Sequence, residues 1–135
     1  MTNPAPSSDE PTQGCMAVVV GPSGAGKDTL LAYAARHFRD QKNIVFVRRV
    51  ITRDASAGGE DHEGVCEAEF ERMDAGGCFA ASWQAHGLSY GIPAGTREAV
   101  ENGALVVANG SRSALHLFKQ TYPKVVIINI TARPE

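Results

Sequence analysis

The residues that could do chemistry begin at Gly21. The run Gly21-Pro22-Ser23-Gly24-Ala25-Gly26-Lys27 fills the first seven places of the pattern G-x-x-x-x-G-K-[ST], whose backbone amides cradle phosphate groups. Glycines let successive N–H groups turn inward and approach phosphate oxygens with no Cβ in the way. A helix opening at Lys27 would add the positive end of its dipole. The Lys27 ammonium would then reach the β- and γ-phosphates of a nucleoside triphosphate. The eighth place departs from the pattern, because it holds Asp28, with Thr29 behind it. A carboxylate is a hard oxygen ligand, so Asp28 reads as a Mg2+-side ligand, or else as a first-turn acid favoured by the helix dipole.

The elements around this loop have the build needed to position it. Residues 16–20 are a continuous apolar run with three valines, which suits a central strand covered on both faces. Over 27–39, Leu30, Leu31, Ala34, Ala35 and Phe38 recur at helical spacing. A second strand is expected at 44–47. Residues 48–97 differ in character: they hold many glycines, acids from Glu60 to Glu71, and a short helix at 67–75 stopped by Gly76-Gly77. Regular alternation then returns, with a helix at 95–101, a strand at 104–108, a helix at 111–122 and a strand at 124–130. Strand–helix alternation with apolar strands means a mostly parallel sheet flanked by helices. The last strand is expected at an unprotected sheet edge. Residues 1–14, rich in Pro, Ser and acid, read as a disordered tail, with order beginning at Cys15.

Composition narrows the function classes. The chain has 135 residues, the size of one domain, with 43% hydrophobic and 21% charged residues. Net charge is -2 and no basic run occurs, which excludes a nucleic-acid partner held by a broad cationic face. Small phosphorylated ligands remain open, since they need only a few donors. Cys15, Cys66 and Cys78 form no CxxC pair and are odd in number, so they read as free thiols. No apolar run approaches the roughly 20 residues that span a bilayer, and the N-terminus lacks the build of a signal peptide. The expectation is a cytoplasmic protein with no membrane partner and an oligomeric state that the sequence leaves open.

Further stretches carry a resemblance. Arg49-Val-Ile-Thr-Arg53, Gly59-Glu60-Asp61-His62, Ser82-Trp83-Gln-Ala-His86-Gly87-Leu-Ser-Tyr90-Gly91 and Val107-Ala-Asn109-Gly110-Ser111-Arg112 join the phosphate loop in a chain similar to the guanylate-kinase-related group. Within that group it most resembles the ribose 1,5-bisphosphate phosphokinases, over about residues 16–135. The resemblance implies an α/β P-loop NTPase fold, three-layer α/β/α with a mostly parallel sheet, in one domain over 15–135. A small acceptor-binding insertion would occupy about 48–97. It implies transfer of the ATP γ-phosphoryl group, with Mg2+, to ribose 1,5-bisphosphate, giving 5-phosphoribosyl 1-diphosphate in a route linked to phosphonate use. It also implies an arginine-bearing lid and further elements beyond residue 135, which this sequence does not contain; Arg133 is the last arginine before its end.

Site roles follow residue by residue. Lys27 and Arg53 are the expected catalytic cations, and Gly21, Pro22, Ser23, Gly24, Ala25, Gly26, Lys27, Asp28 and Thr29 the nucleotide site. Arg49, Arg53, Glu60, His62, His86, Tyr90 and Asn109 are the expected acceptor site, with Asn109 at a strand end where many P-loop enzymes carry an acidic metal partner. Each also has a plain structural alternative: a surface ion pair for Arg53, a strand-end charge for Arg49, a half-buried aromatic for Tyr90, a turn residue for each histidine. Trp83 could wall the pocket or pack in the core, and Ser111 reads as an N-cap. Thr52-Arg53, Gly59-Glu60 and Tyr90-Gly91 match the phosphate-gripping parts of guanylate kinases. Ala80-Ala81 stands where a base-reading acid would be, so phosphate grip is kept and guanine grip lost. Guanylate-kinase-like activity and a non-catalytic nucleotide-binding module remain the alternatives. A phosphate acceptor is already ionised, so no general base is called for, and catalysis would be alignment and charge neutralisation.

Overall fold

The computed structural model describes residues 13–22, 26–57 and 60–131. Residues 1–12 of the expected tail, the loop residues Ser23, Gly24 and Ala25, and Arg133 lie outside the described residues. Gly14, expected in the tail, is instead buried, its amide donating to the Val100 carbonyl at 2.8 Å. Two four-stranded sheets share the chain. The first is all parallel, in the order β2 (Ile44–Phe46), β7 (Leu105–Asn109), β1 (Cys15–Val20), β8 (Val125–Asn129). The second runs β4 (Glu63–Gly64), β3 (Val50–Ile51), β6 (Leu88–Pro93), β5 (Phe79–Ala85), antiparallel except for β3 with β4. Helices α1 (Lys27–His37), α2 (Glu67–Ala75), α3 (Gly95–Glu101) and α4 (Leu115–Thr121) complete it, with a 3-10 turn at Arg112–Ala114 before α4.

Continuous burial on both faces suits the central place of β1. Met16, Val18 and Val20 join Val106, Ala108, Val100, Phe118 and Tyr122 in one core that also takes in Ala81 and Ile92 of the second sheet. Thus the insertion is packed on the parallel sheet's core rather than hung beside it. Burying each such side chain is worth about 1.5–3 kcal/mol. The other flank of the parallel sheet is thinner. Leu31, Ala34 and Ala35 of α1 are partly buried, while Leu30 (49%) and Phe38 (39%) stand exposed although they share the helical spacing. Val126, Ile127 and Ile128 of β8 are each at least 40% exposed, and β8 forms an edge of the sheet, as its sequence position suggested.

Local chemistry sets the turns. The expected helix at 111–122 is divided: Ser111 Oγ accepts from the Ser113 amide at 3.3 Å and caps a 3-10 turn, and α-helix begins only at Leu115. The antiparallel strands β5 and β6, not foreseen within 48–97, are joined by His86 and Gly87 at φ 55 and 77. Two positive φ values in a two-residue loop suit the right-handed twist of the hairpin. Cys66 caps α2, its sulfur accepting from the Glu69 amide at 3.4 Å.

Candidate active site at the mouth of the parallel sheet

The C-terminal ends of parallel strands are where α/β folds place ligands, and here β1 and β7 end at the same level: Val19 lies beside Asn109. Beyond β1 the chain enters the phosphate loop. Gly21, at φ 156, lies so close to β8's exit that a Cβ there would meet the Ile130 carbonyl oxygen at 2.3 Å. Gly26 is left-handed, at φ 85, and starts α1. Lys27 turns back across the loop, its Nζ donating to the Gly21 carbonyl at 3.3 Å. Burial holds the Lys27 ammonium below its ordinary 10.5; the nearby Arg49 charge adds to this, while Asp28 and Glu60 oppose it.

A cleft of about 480 Å³ opens between this loop and the second sheet. Lys27, Arg49 and Arg112 supply its cations, and Trp83, Tyr90 and His86 its aromatic wall. Arg49 is 7% exposed. Its guanidinium donates to both Glu60 oxygens, Nε to Oε2 at 2.7 Å, and lies 4.8 Å over the Tyr90 ring. Trp83 stacks on Tyr90 (5.5 Å, 12°) and also meets Phe118 in the core. Hence Trp83 both packs and walls the cleft. Arg112 donates to Asn129 Oδ1 at 2.7 Å, tying the start of its turn to the end of β8.

Asn109 ties Asp28 of α1 to Glu60. Its Nδ2 donates to Asp28 Oδ1 at 3.3 Å and to Glu60 Oε1 at 3.4 Å, and its buried Oδ1 has no partner among the described residues. Asp28, Glu60 and that orphan oxygen are hard oxygen donors of the kind a divalent cation takes, so these residues fit Mg2+.

Of the residues expected from sequence, the cleft is lined by Gly21, Pro22, Lys27, Arg49, His86, Tyr90 and Asn109. Asp28 and Glu60 stand behind it through Asn109. Three lie elsewhere. His62 is fully buried, its Nδ1 at 3.0 Å from the Glu60 carbonyl and its Nε2 at 3.0 Å from the Asp54 carbonyl. It pins the loop that carries Glu60 and does not reach the cleft. Arg53 is half-buried, is not among the cleft residues, and its buried Nε has no partner among the described residues. Its suggested pairing with the acids is taken by neighbours, Arg49 with Glu60 and Arg48 with Asp61. Thr29 is exposed on α1. Trp83, weighed as either pocket wall or core, does both; Arg112 was not assigned to the site, and its place just past the end of a parallel strand was the available signal.

No family model matches the chain. Curated relatives do. Ribose 1,5-bisphosphate phosphokinase PhnN of Rhizobium etli is 56% identical over 123 residues, 91% of this chain and 62% of that protein. The Agrobacterium fabrum PhnN is 52% identical over 120 residues, 89% of this chain and 66% of that protein. The chain resembles the ribose 1,5-bisphosphate phosphokinases across nearly its whole length. It spans 62–66% of the length of these two relatives. A bifunctional ribose 1,5-bisphosphokinase-thymidine phosphorylase of Cupriavidus pinatubonensis is 46% identical over 88% of this chain and 20% of that protein. The crystal structure of guanylate kinase from Anaplasma phagocytophilum superposes with TM-score 0.66 at 24% identity, over 87% of this chain and 60% of that one. The fold is therefore the guanylate-kinase-like P-loop fold.

Proposed function

We propose that this chain carries the nucleotide and acceptor sites of an ATP-dependent kinase acting on ribose 1,5-bisphosphate, forming 5-phosphoribosyl 1-diphosphate. The observation that carries the reading is the cleft with Lys27, Arg49 and Arg112 around it and, among the described residues, no carboxylate on its wall. Of the Ala80-Ala81 run that stands where a base-reading acid would be, Ala81 is 7% exposed and in the core, with Ala80 packed against it. Three cations suit two phosphates of an acceptor together with a triphosphate, and Arg49's fork suits bidentate phosphate recognition. The family resemblance adds the identity of the sugar and the link to phosphonate metabolism.

In this reading the loop from Gly21 to Gly26 holds the triphosphate with its amides, and Lys27 leaves the Gly21 carbonyl to bridge β- and γ-oxygens. Asp28, with Asn109 beside it, would hold Mg2+, which when bound neutralises charge on the nucleotide phosphates. Arg49 and Arg112 orient the acceptor, and the Tyr90 hydroxyl and His86 border it. The acceptor oxygen is already anionic, so alignment replaces general-base chemistry. Arg53 acts outside the cleft in this assignment. No helix among the described residues is long and apolar enough to cross a membrane, and a cytoplasmic setting, where ATP is available, belongs to the same proposal.

Trp83, the sole tryptophan, reports on the cleft. Titrating ribose 1,5-bisphosphate and GMP against its fluorescence tests the acceptor. A saturable change with the ribose compound, and a much weaker one with GMP, is expected. Equal or tighter response to GMP would overturn the phosphosugar reading in favour of a nucleoside monophosphate.

A further inference from the structure

The charged groups at the loop end of the cleft are balanced among themselves, Lys27 and Arg49 against Asp28 and Glu60. A triphosphate on Lys27 and an acceptor phosphate on Arg49 upset this balance. Both carboxylates are then left facing anionic oxygens, a cost that a divalent cation removes.

Asn109 shows where such a cation fits. The residue is 6% exposed, its buried Oδ1 has no partner among the described residues, and its Nδ2 sits between the two acids at 3.3 and 3.4 Å, the long end of the hydrogen-bond range. The two ends of a carboxamide exchange by a half-turn, and they are assigned by their neighbours. That half-turn brings the orphan oxygen to where the carboxylates converge. Three oxygens would then come from α1, from the segment before β4 and from the end of β7. Neighbouring oxygens around a six-coordinate Mg2+ stand about 3 Å apart, close to these separations. No three acidic, histidine or cysteine side chains among the described residues form a metal cluster; the third donor here is the amide.

We propose that Glu60 is a ligand of the divalent cation, together with Asp28 and the turned carboxamide of Asn109, and that an anion on Arg49 releases Glu60 to it. The proposal rests on the nucleotide-site reading of Gly21 to Lys27. It gives Glu60 a second partner besides Arg49. It also makes the cation a tie between the acceptor segment and the phosphate loop, so that metal and acceptor-side anion favour each other's binding.

The test is Mn2+ binding to the full chain, read from the electron paramagnetic resonance of free Mn2+, with and without the non-hydrolysable analogue AMP-PNP. In the AMP-PNP complex with ribose 1,5-bisphosphate added as the anion on Arg49, Glu60→Gln and Asn109→Leu are each expected to weaken Mn2+ binding about 10-fold or more. Without nucleotide, Arg49→Gln leaves the set one charge negative and should bind Mn2+ about 10-fold more tightly than wild type, a gain that adding Glu60→Gln removes. Wild-type Mn2+ affinity in the Glu60→Gln complex, or a gain in Arg49→Gln that survives Glu60→Gln, overturns the proposal. Should Arg49→Gln fail to fold by circular dichroism, the AMP-PNP arm decides. Should AMP-PNP fail to bind, the phosphate-loop reading falls and the nucleotide-free arm still decides Glu60.

Discussion

Replacing Arg49 by Met separates what this residue does for the fold from what it does in the cleft. Arg49 and Glu60 are both nearly enclosed, with side chains 8% and 12% exposed. Removing one member of a buried, doubly hydrogen-bonded pair leaves an uncompensated charge, which costs about 3–5 kcal/mol. A chain of 135 residues loses order on melting at about 0.28 kcal/mol per kelvin, so the melting midpoint should fall by about 10–18 °C. The lost stacking on Tyr90 adds about 1 kcal/mol. Adding Glu60→Leu removes the stranded carboxylate. Because apolar replacements of a buried pair are often neutral, the double variant should regain most of the loss. Acceptor binding should not return with it, since the cleft still lacks the guanidinium. The assays are thermal melting by circular dichroism and the Trp83 titration with ribose 1,5-bisphosphate. A single variant costing under about 1 kcal/mol would refute the buried-pair argument, and a double variant binding acceptor as wild type does would refute Arg49's place in the acceptor site.

The other predictions concern separate parts of the fold. Burial holds Lys27 below 10.5 and a bound triphosphate should raise it again, so nucleotide binding just below that pH should take up protons; calorimetry in buffers of different ionisation enthalpy reads this, and Lys27→Met should abolish it. Burial pushes the Tyr122 phenol above 10, outweighing its bond to Thr96. The folded state therefore binds its proton more tightly, so the stability it contributes is complete below about pH 10 and is lost as pH rises through the folded value. Melting temperature should fall on that alkaline side, less steeply in Tyr122→Phe. Gly110→Ala would put a Cβ 2.4 Å from Val18 Cγ1, an overpacking expected to cost about 1–3 kcal/mol in chemical denaturation. Ile128→Lys, on the exposed face of edge strand β8, should lower light scattering at high concentration with a stability change within about 0.5 kcal/mol.

Legibility in the sequence tracked how local each determinant is. The apolar run at 16–20 announced β1, and acids before a Gly76-Gly77 stop announced α2 at its observed bounds Glu67–Ala75, because both depend on neighbours in the chain. The hairpin β5–β6 stayed hidden. Its first strand, Phe79-Ala-Ala-Ser-Trp-Gln-Ala85, lacks clean alternation, and its turn uses His86 where Asn would be the usual signal. Leu30 and Phe38 show the limit of periodicity, since spacing names a helix face but not what covers it. Around the site, the end of β1 before Gly21 and the helix start at Lys27 were readable from the glycines between them. The pairing of Arg49 with Glu60, eleven positions on, was not, because only the fold of 48–64 decides which of Arg48, Arg49 and Arg53 meets which acid. The same holds for His62, whose type allowed a ligand contact and whose burial makes it a pin.

The central claim is that the cleft serves phosphoryl transfer to a phosphosugar. ADP release from Mg2+-ATP, coupled to a spectrophotometric readout, tests it with ribose 1,5-bisphosphate or GMP as acceptor and Lys27→Ala as control. ADP release is expected to need both the ribose compound and Lys27, with GMP inert. Turnover with GMP instead, or ADP release that persists in Lys27→Ala, would contradict it. Binding of Mg2+-ATP with no turnover of either acceptor would make this chain a nucleotide-binding module and contradict the kinase reading of the chain.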